Sequence, residues 1–187
     1  MKIVIDGLIG AGKSTQVEII NKRLGIPIVK EPIEEWPLEL FYSDPARWGF
    51  TMQVAVLNSF VKLRNVDGIF ERCPESSRAV FWRNLVESGA VNDTEDHIFN
   101  KIYDTLKWDP DVIILIDKSP ELCYKHIQTR DQAGDSKVTL EYLKRLHGYY
   151  DDFKKSNVII IDGNRSIGDI SEDIISTINR LKNGQKM

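Results

Sequence analysis

The sequence predicts an α/β fold, in which a five-stranded parallel sheet is covered by helices on both faces. Five short apolar runs lie along the 187 residues, and longer stretches with helical periodicity separate them. Parallel strands need long crossover connections, usually helices, and strands buried on both faces are apolar throughout rather than alternating. No internal repeat or linker-like stretch interrupts this order, so we expect a single domain spanning 1–187.

The first half of the chain should supply three strands and three helices. Short apolar runs bounded by Gly, Pro or charged residues predict strands at 3–5, 26–29 and 68–70. Helical spacing of apolar residues predicts helices from 13 to about 24, from 50 to 64 and from 78 to 87. The middle helix has the clearest pattern, because a single apolar stripe is formed by Phe50, Val54, Leu57 and Val61.

The second half should supply the last two strands. The run at 112–116 is continuously apolar between Asp-Pro and Asp-Lys, and a further run lies at 158–161. Ser119 is a candidate N-cap residue, so a helix is expected from Ser119 to about residue 128. Further helices are expected at 94–107, at 139–154 and after Ser166. The polar, Gly-containing stretch 131–137 predicts a mobile loop, and we expect 182–187 to fray.

Composition argues against several classes of protein. The formal net charge is −3, which does not suit a basic nucleic-acid-binding surface. No apolar run has the length of a membrane span, and the chain begins with a strand-like run rather than a signal peptide, so we expect a cytoplasmic protein. The two cysteines and three histidines show no metal-ligand spacing, which leaves a zinc site or a disulfide framework unsupported.

A phosphate-binding motif follows the first predicted strand. Residues 7–14 match GxxxxGK[ST], and the first helix begins within the motif. In this setting backbone N–H groups surround phosphate oxygens, the lysine reaches the β- and γ-phosphates, and the hydroxyl binds Mg²⁺. The motif predicts a P-loop NTPase fold in which the nucleotide is contacted by Gly7, Gly10, Ala11, Gly12, Lys13, Ser14 and Thr15.

The motif alone does not distinguish a kinase from a GTPase or an ATP-driven motor. A GTPase would carry an NKxD segment, which is absent from the sequence. A motor ATPase would be longer and would contain a long apolar strand ending in Asp-Glu. A small-molecule kinase fits the length of the chain.

Charged residues follow the second and third predicted strands. Ligands of open parallel sheets bind at the carboxyl ends of the strands, which is where Glu31 and the Glu71-Arg72 pair are expected. A carboxylate can hold Mg²⁺, and a neighbouring guanidinium can stabilise a phosphoryl group. An ordinary surface ion pair is the alternative interpretation of Glu71 and Arg72.

Several segments match one pattern in the same order along nearly the whole chain. They are Glu31-Pro32 with Trp36, the stretch 42–53 with its DPARW sequence and Gln53, Glu71-Arg72 with 73–78, and 84–95, 119–123 and 140–147. Together these segments resemble the deoxynucleoside kinase family. The resemblance implies an enzyme that transfers a phosphoryl group from ATP, with Mg²⁺, to the 5′-hydroxyl of a deoxynucleoside, and it suggests a homodimer.

The resemblance also implies a role for each matching residue. Glu31 would be the general base, Arg72 would hold Glu31 and the phosphoryl group, and Glu71 would hold Mg²⁺ together with Ser14. Gln53 would bind the base edge through its amide, which can both donate and accept hydrogen bonds. The other implied substrate contacts are Ile9, Trp36, Leu40, Met52, Val56, Phe60, Ser77 and Phe81 around the base and Tyr42 and Asp135 at the 3′-hydroxyl. The implied donor contacts are Lys13, Arg130, Asp162 and Asn164.

Two departures from the family pattern bear on activity and base choice. The expected lid, at about 130–138, contains Arg130, but Gln132 and His126 stand where further arginines are often found. Phe60 and Ser77 occupy the positions of an Arg–Asp pair that accompanies deoxycytidine or purine substrates. Because Val56 and Phe60 should narrow the pocket, we expect a pyrimidine deoxynucleoside, with thymidine first and deoxycytidine second. The alternative is that the bulk of Phe60 crowds the thymine methyl and reverses this order.

Two other functions remain open at this point. A nucleoside monophosphate kinase such as thymidylate kinase shares the motif and sheet, but it needs extra arginines for the acceptor phosphate, for which only Arg47, Arg72 and Arg78 are candidates. A nucleotide-binding regulatory protein without catalysis would explain the arginine-poor lid. The presence of Lys13, Ser14, Glu31 and Arg72 argues against that second reading.

Overall fold

Five strands form one parallel sheet in the order β2-β3-β1-β4-β5. The computed structural model describes residues 1–130, 134–153 and 158–184. The strands are Lys2–Gly7 (β1), Ile28–Val29 (β2), Gly68–Glu71 (β3), Val112–Asp117 (β4) and Val158–Asp162 (β5). Helices surround the sheet, so the predicted α/β fold with a five-stranded parallel sheet is confirmed.

Nine α-helices lie in the described ranges. They are Lys13–Leu24 (α1), Leu38–Ser43 (α2), Pro45–Val61 (α3), Pro74–Ser76 (α4), Arg83–Glu87 (α5), Asp93–Leu106 (α6), Pro120–Thr129 (α7), Leu140–Asp152 (α8) and Ile167–Lys182 (α9). A π-helical turn, Ser77–Trp82, joins α4 to α5, and short 3₁₀ turns lie at Ile33–Glu35 and Asp135–Lys137. Within these ranges, none of the helices has the length and apolar character needed to cross a membrane.

The register of the central strands decides what meets at the carboxyl edge of the sheet. Strand β1 lies between β3 and β4, with Ile5 opposite Glu71 and Gly7 opposite Ile116. All three strands are almost fully buried, which explains their continuous apolar sequences. The loop that follows Gly7 therefore begins beside the residues that follow Glu71.

Helix α3 begins earlier and ends earlier than the sequence periodicity predicted. It starts at Pro45 instead of residue 50, and it ends at Val61 instead of residue 64. The Asp44 carboxylate accepts a hydrogen bond from the Arg47 backbone N–H at 3.1 Å, and Pro45 occupies the first turn. An Asp-Pro pair is a standard helix start signal, and it outweighs the apolar stripe as a boundary marker.

Other predicted boundaries also changed. The strand predicted at 26–29 is reduced to Ile28–Val29, because the nitrogen of Pro27 has no hydrogen to donate to a neighbouring strand. The helix predicted at 78–87 is preceded by α4 and contains the π-helical turn, and the helices around 33–43 were not predicted. Three predictions fall partly outside the described residues: the loop at 131–137 at its residues 131–133, the helix end at residue 154, and the frayed tail 182–187 at its residues 185–187.

Candidate active site

The phosphate-binding motif forms a loop between β1 and α1. Gly10 and Gly12 have φ values of 82° and 96°, a left-handed region that side chains rarely adopt. Gly12 is also the N-cap of α1 and provides no side-chain cap, so backbone N–H groups of the first turn remain available for an anion. Ser14 and Thr15 are exposed in that first turn, whereas Ala11 is buried and its N–H donates to the Leu8 carbonyl at 3.1 Å.

Lys13 turns back over the same loop. Its Nζ donates to the carbonyl oxygens of Leu8, at 3.0 Å, and Gly7, at 3.4 Å. Burial, and then the positive charge of Arg72, lower the pKa of Lys13 to about 8, although nearby Glu31 acts in the opposite direction. The ammonium is therefore a buried cation at the end of β1, where the motif predicts that phosphate binds.

Replacing Gly10 with Ala is expected to disrupt this loop. A Cβ at Gly10 would lie 2.5 Å from the Cys123 carbonyl oxygen, and the positive φ would add about 1 kcal/mol of strain. We expect nucleoside triphosphate affinity to fall at least about tenfold, which is a loss of about 1.4 kcal/mol, in isothermal titration calorimetry. The matched variant Gly148→Ala meets no atom within 4 Å in helix α8. It should bind normally, and equal affinity of the two variants would contradict the prediction.

A cavity of about 110 Å³ opens beside the loop. It is lined by most of the residues to which the sequence assigned substrate or phosphate roles: Ile9, Lys13, Ser14, Glu31, Trp36, Tyr42, Met52, Gln53, Val56, Arg72, Ser77, Phe81, Arg130 and Asp135. These residues come from widely separated parts of the chain, and the tertiary structure brings them together around the cavity.

Glu31 and Arg72 form an ion pair where the loop meets the cavity. Arg72 Nε lies 2.9 Å from Glu31 Oε1, and both side chains are nearly buried. Burial raises the pKa of Glu31 above its ordinary value of 4.5, against the opposing influence of Arg72 and Lys13. A buried carboxylate with a raised pKa and two adjacent cations suits a general base next to a phosphoryl group.

The guanidinium of Arg72 is held on its other edge by groups that the sequence analysis did not identify. Nη1 donates to Asp6 Oδ1 at 3.1 Å, to the Gly7 carbonyl at 2.9 Å and to the Tyr150 hydroxyl. The Tyr150 hydroxyl in turn donates to Asp6 Oδ1 at 2.7 Å. The face of the guanidinium lies over the Phe81 ring, with Cζ 4.6 Å from the ring centroid.

The end of the cavity away from the loop is mainly apolar, with two unpaired polar atoms. Gln53 is 4% exposed, and its Oε1 has no hydrogen-bond partner among the described residues. Trp36 Nε1 is likewise buried without a partner in the described part of the chain. Because buried polar groups are normally paired, these atoms mark places where a polar ligand can bind.

Tyr42 and Asp135, the predicted sugar contacts, both line the cavity. Burial and the Asp135 charge raise the pKa of Tyr42 to about 12, so the hydroxyl keeps its proton at neutral pH. Arg130 forms a bidentate ion pair with Asp135, with distances of 2.8 and 2.9 Å. The arginine predicted to contact the donor phosphate is thus bound to the acid predicted to contact the sugar.

Two predicted wall residues lie elsewhere. Leu40 is 45% exposed, because α2 turns Leu38 and Phe41 toward the cavity and leaves Leu40 on the other side. Phe60 is buried one helical turn beyond Val56, and its ring packs edge-on against Trp108 with centroids 6.1 Å apart. The structure does not place Leu40 or Phe60 among the residues that line the cavity, and their contact with a base stays a prediction.

The remaining predicted site residues border the site without lining the cavity. Glu71 is buried at the end of β3, and its Oε1 has no hydrogen-bond partner among the described residues. Asp162, the last residue of β5, and Asn164 are exposed, and Asn164 Oδ1 accepts a hydrogen bond from the Ser119 N–H at 3.0 Å. Their contact with a donor base stays a prediction.

Four cavity residues were missed by sequence reasoning: Ile33, Leu38, Phe41 and Tyr142. The i, i+3 spacing of Leu38 and Phe41 after Pro37 was an available signal for a short helix with an apolar face. Tyr142 belongs to α8, which begins after the Thr139 cap, and no local pattern indicates that this helix reaches the cavity.

Fold and site together define a kinase with the P-loop NTPase fold. The phosphate loop follows the central strand, and a buried carboxylate paired with Arg72 lies where the loop meets the cavity. The family model described as deoxynucleoside kinase matches residues 3–183. The chain belongs to the deoxynucleoside kinase family.

Individual relatives agree with this assignment. Deoxyadenosine kinase of Dictyostelium discoideum is 35% identical over 161 residues, which cover 81% of this chain and 65% of the relative. Thymidine kinase of Ictalurid herpesvirus 1 (strain Auburn) is 31% identical over 196 residues, which cover 94% of this chain and 85% of the relative. The structure of deoxyadenosine kinase from M. mycoides with bound dCTP is similar with a TM-score of 0.87 and 28% identity, over 96% of this chain and 99% of that chain.

The relatives are named for different nucleosides. Family membership supports a phosphotransferase that acts on a deoxynucleoside with a nucleotide as phosphate donor. The choice of base has to be argued from the side chains around the cavity.

Proposed function

We propose that this protein transfers the γ-phosphoryl group of ATP to the 5′-hydroxyl of a pyrimidine deoxynucleoside, with thymidine preferred and deoxycytidine second. The observation that carries the proposal is the position of Glu31, which is paired with Arg72 at 2.9 Å between the phosphate loop and the cavity. A carboxylate in this position can accept the proton of a hydroxyl bound in the cavity while that hydroxyl attacks the γ-phosphorus.

Lys13 and Arg72 then act on the transferred group. Both cations are buried, and both line the cavity on the side of the phosphate loop. In a phosphoryl transfer the protein contributes mainly positioning and electrostatic stabilisation of the charge on the equatorial oxygens. Two cations held in a low-dielectric site suit that role, because their interaction with phosphate is weakly screened there.

Ser14 and Glu71 suit a bound Mg²⁺. The Glu71 carboxylate has a buried oxygen without a partner among the described residues, and Ser14 lies in the first turn of α1 beside the phosphate loop. Mg²⁺ usually takes only one or two protein ligands and keeps several waters and phosphate oxygens. When bound, the ion would neutralise charge on the β- and γ-phosphates.

The preference for a pyrimidine is argued from the walls of the cavity. Gln53 offers an amide that can donate and accept on one base edge, while Met52, Val56 and Phe81 supply apolar surface. Ser77 supplies only a small hydroxyl where an ionic pair would favour deoxycytidine or purines. Since the Phe60 ring packs against Trp108, Val56 and Met52 are the side chains that narrow the pocket.

A kinase acting on nucleoside monophosphates is less consistent with the arginines. Such an enzyme needs cations for an acceptor phosphate, but Arg47 is exposed beside Trp48 and Arg78 donates to Asn100 Oδ1 at 2.8 Å. Among the described arginines, Arg72 and Arg130 line the cavity, and each is paired with a carboxylate. The acceptor is therefore proposed to be a nucleoside.

The pH dependence of kcat/KM for ATP should be bell-shaped. Glu31 must be ionised to act as a base, so activity falls as pH drops through its raised pKa, above 4.5. Lys13 must be charged, so activity falls again as pH rises through about 8 in the free enzyme. Steady-state rates between pH 5 and pH 10 test this, and a rate that stays constant up to pH 10 would contradict the assignment of Lys13.

The proposed function is tested by phosphoryl transfer from ATP-Mg²⁺ to thymidine, deoxycytidine, deoxyadenosine, deoxyguanosine and thymidine monophosphate. We expect the highest kcat/KM for thymidine, then deoxycytidine, and no transfer to thymidine monophosphate. Higher kcat/KM for either purine would reject the pyrimidine preference but keep the nucleoside kinase. Transfer to thymidine monophosphate alone would reject the nucleoside kinase.

A further inference from the structure

Three buried polar side chains from distant parts of the chain meet around Arg72. Asp6 is the penultimate residue of β1, Arg72 follows β3, and Tyr150 lies near the end of α8, with exposed fractions of 0%, 4% and 3%. Asp6 Oδ1 accepts hydrogen bonds from Arg72 Nη1, from the Tyr150 hydroxyl and from the Gly7 backbone N–H. Of these three residues, Arg72 lines the cavity, whereas Asp6 and Tyr150 do not.

Burying this cluster costs free energy. Burying charged and hydroxyl groups carries a desolvation penalty that only close hydrogen bonds offset. Asp6 Oδ2 nevertheless has no partner among the described residues. Arg72 has a φ of 61°, and it is the one non-glycine residue with positive φ in the described ranges. Left-handed backbone at a non-glycine residue adds strain of about 1–3 kcal/mol and is concentrated at functional sites.

These contacts hold the guanidinium at two of its nitrogens and on one face. Asp6, Tyr150 and the Gly7 carbonyl hold Nη1, Glu31 contacts Nε, and the Phe81 ring covers one face. A long arginine side chain otherwise has several rotatable bonds, so fixing it requires contacts on more than one edge. Glu31 alone would hold one nitrogen and leave the plane free to turn.

We infer that Asp6 and Tyr150 are positioning residues, which fix the Arg72 guanidinium so that it orients Glu31 and the transferred phosphoryl group. The inference rests on the proposed function, and neither residue touches the cavity. A displacement of a catalytic group by about 1 Å can reduce turnover by about a hundredfold. The same helix that supplies Tyr150 also supplies Tyr142 to the cavity wall.

The test compares Tyr150→Phe with its neighbour Tyr149→Phe. The first removes one hydroxyl from the cluster, whereas the second removes a hydroxyl that donates to Glu87 Oε2 on the surface at 2.9 Å. For Tyr150→Phe we expect kcat for thymidine and ATP to fall by about tenfold to a hundredfold, with both KM values within about threefold of the parent. Tyr149→Phe should match the parent, and Asp6→Asn should reproduce the loss of kcat.

A second readout follows Glu31 without requiring turnover. A ¹³C NMR titration of glutamate carboxyl groups, with Glu31 assigned by the loss of its signal in Glu31→Gln, reports its pKa. Arg72 lowers that pKa in the folded protein, so a less confined guanidinium in Tyr150→Phe should raise it. Tyr149→Phe should leave the titration unchanged.

Outcomes separate the inference from the proposed function. If the parent protein is inactive on every nucleoside, the proposed function is rejected. The Glu31 titration then still tests the inference, and an unchanged pKa of Glu31 in Tyr150→Phe overturns it. If the parent is active and kcat of both Tyr150→Phe and Asp6→Asn stays within about twofold of the parent value, the inference is overturned and the proposed function is kept. This holds even if the unfolding midpoint of the variants is lowered. A selective loss of kcat with a raised pKa of Glu31 supports it.

Discussion

Replacing Glu31 with Gln should reduce kcat for phosphoryl transfer by about 10²–10⁴-fold, while the affinity for ATP changes little. The amide has nearly the same shape as the carboxylate but cannot accept the proton of the 5′-hydroxyl. Glu31 is also one of two carboxylates that contact Arg72, so its loss leaves Asp6 to hold the arginine. Calorimetry with ATP and steady-state kinetics with thymidine separate binding from turnover.

The same stretch of chain offers a matched control. Glu34 lies three residues further on in an exposed turn, so Glu34→Gln removes the same charge from the same segment without touching Arg72. We expect it to retain the parent kcat. Near-normal kcat in Glu31→Gln would remove this residue from the mechanism, whatever the control shows.

Replacing Lys13 with Met is expected to reduce kcat/KM for ATP by at least about 10²-fold, which corresponds to the loss of roughly 3 kcal/mol of transition-state stabilisation. The effect should be large because Lys13 is 7% exposed, and a cation in a buried site interacts strongly with phosphate. In contrast to Glu31→Gln, this variant should also bind ATP more weakly, since we expect the ammonium to contact phosphates in the ground state.

Lys22 is the control for this second substitution. It belongs to the same helix, α1, but it is exposed in the last turn, so Lys22→Met should behave as the parent. A Lys13→Met protein that keeps its circular dichroism spectrum and also keeps its kcat/KM would show that the buried ammonium has no part in donor binding or transfer.

The site residues that could be predicted from the sequence lie in short segments with a recognisable sequence pattern. The phosphate loop is specified by glycines next to a lysine and a serine, and Glu31 and Arg72 each lie two residues after a predicted strand. Gln53 could be placed because its helix has a readable apolar stripe. In each case the residue type, the spacing and the adjoining element lie within one short segment.

The part that was missed depends on how elements meet. Leu40 and Phe60 carry the right residue types, but the rotation of α2 and the length of α3 turn or carry them away from the cavity. The π-helical turn Ser77–Trp82 places Ser77 and Phe81 on the cavity side. A π turn changes the helical repeat locally, which periodicity based on 3.6 residues per turn does not predict.

By itself, the sequence determined a five-stranded parallel sheet, a phosphate loop at the end of its first strand, and a carboxylate and an arginine at neighbouring strand ends. These follow from periods and motifs that act over a few residues. Only the tertiary structure decided that Asp6 and Tyr150, 144 positions apart, hold the same arginine. Such contacts are set by the order of the strands and by the packing of α8 beside them, and no interaction between chain neighbours encodes them.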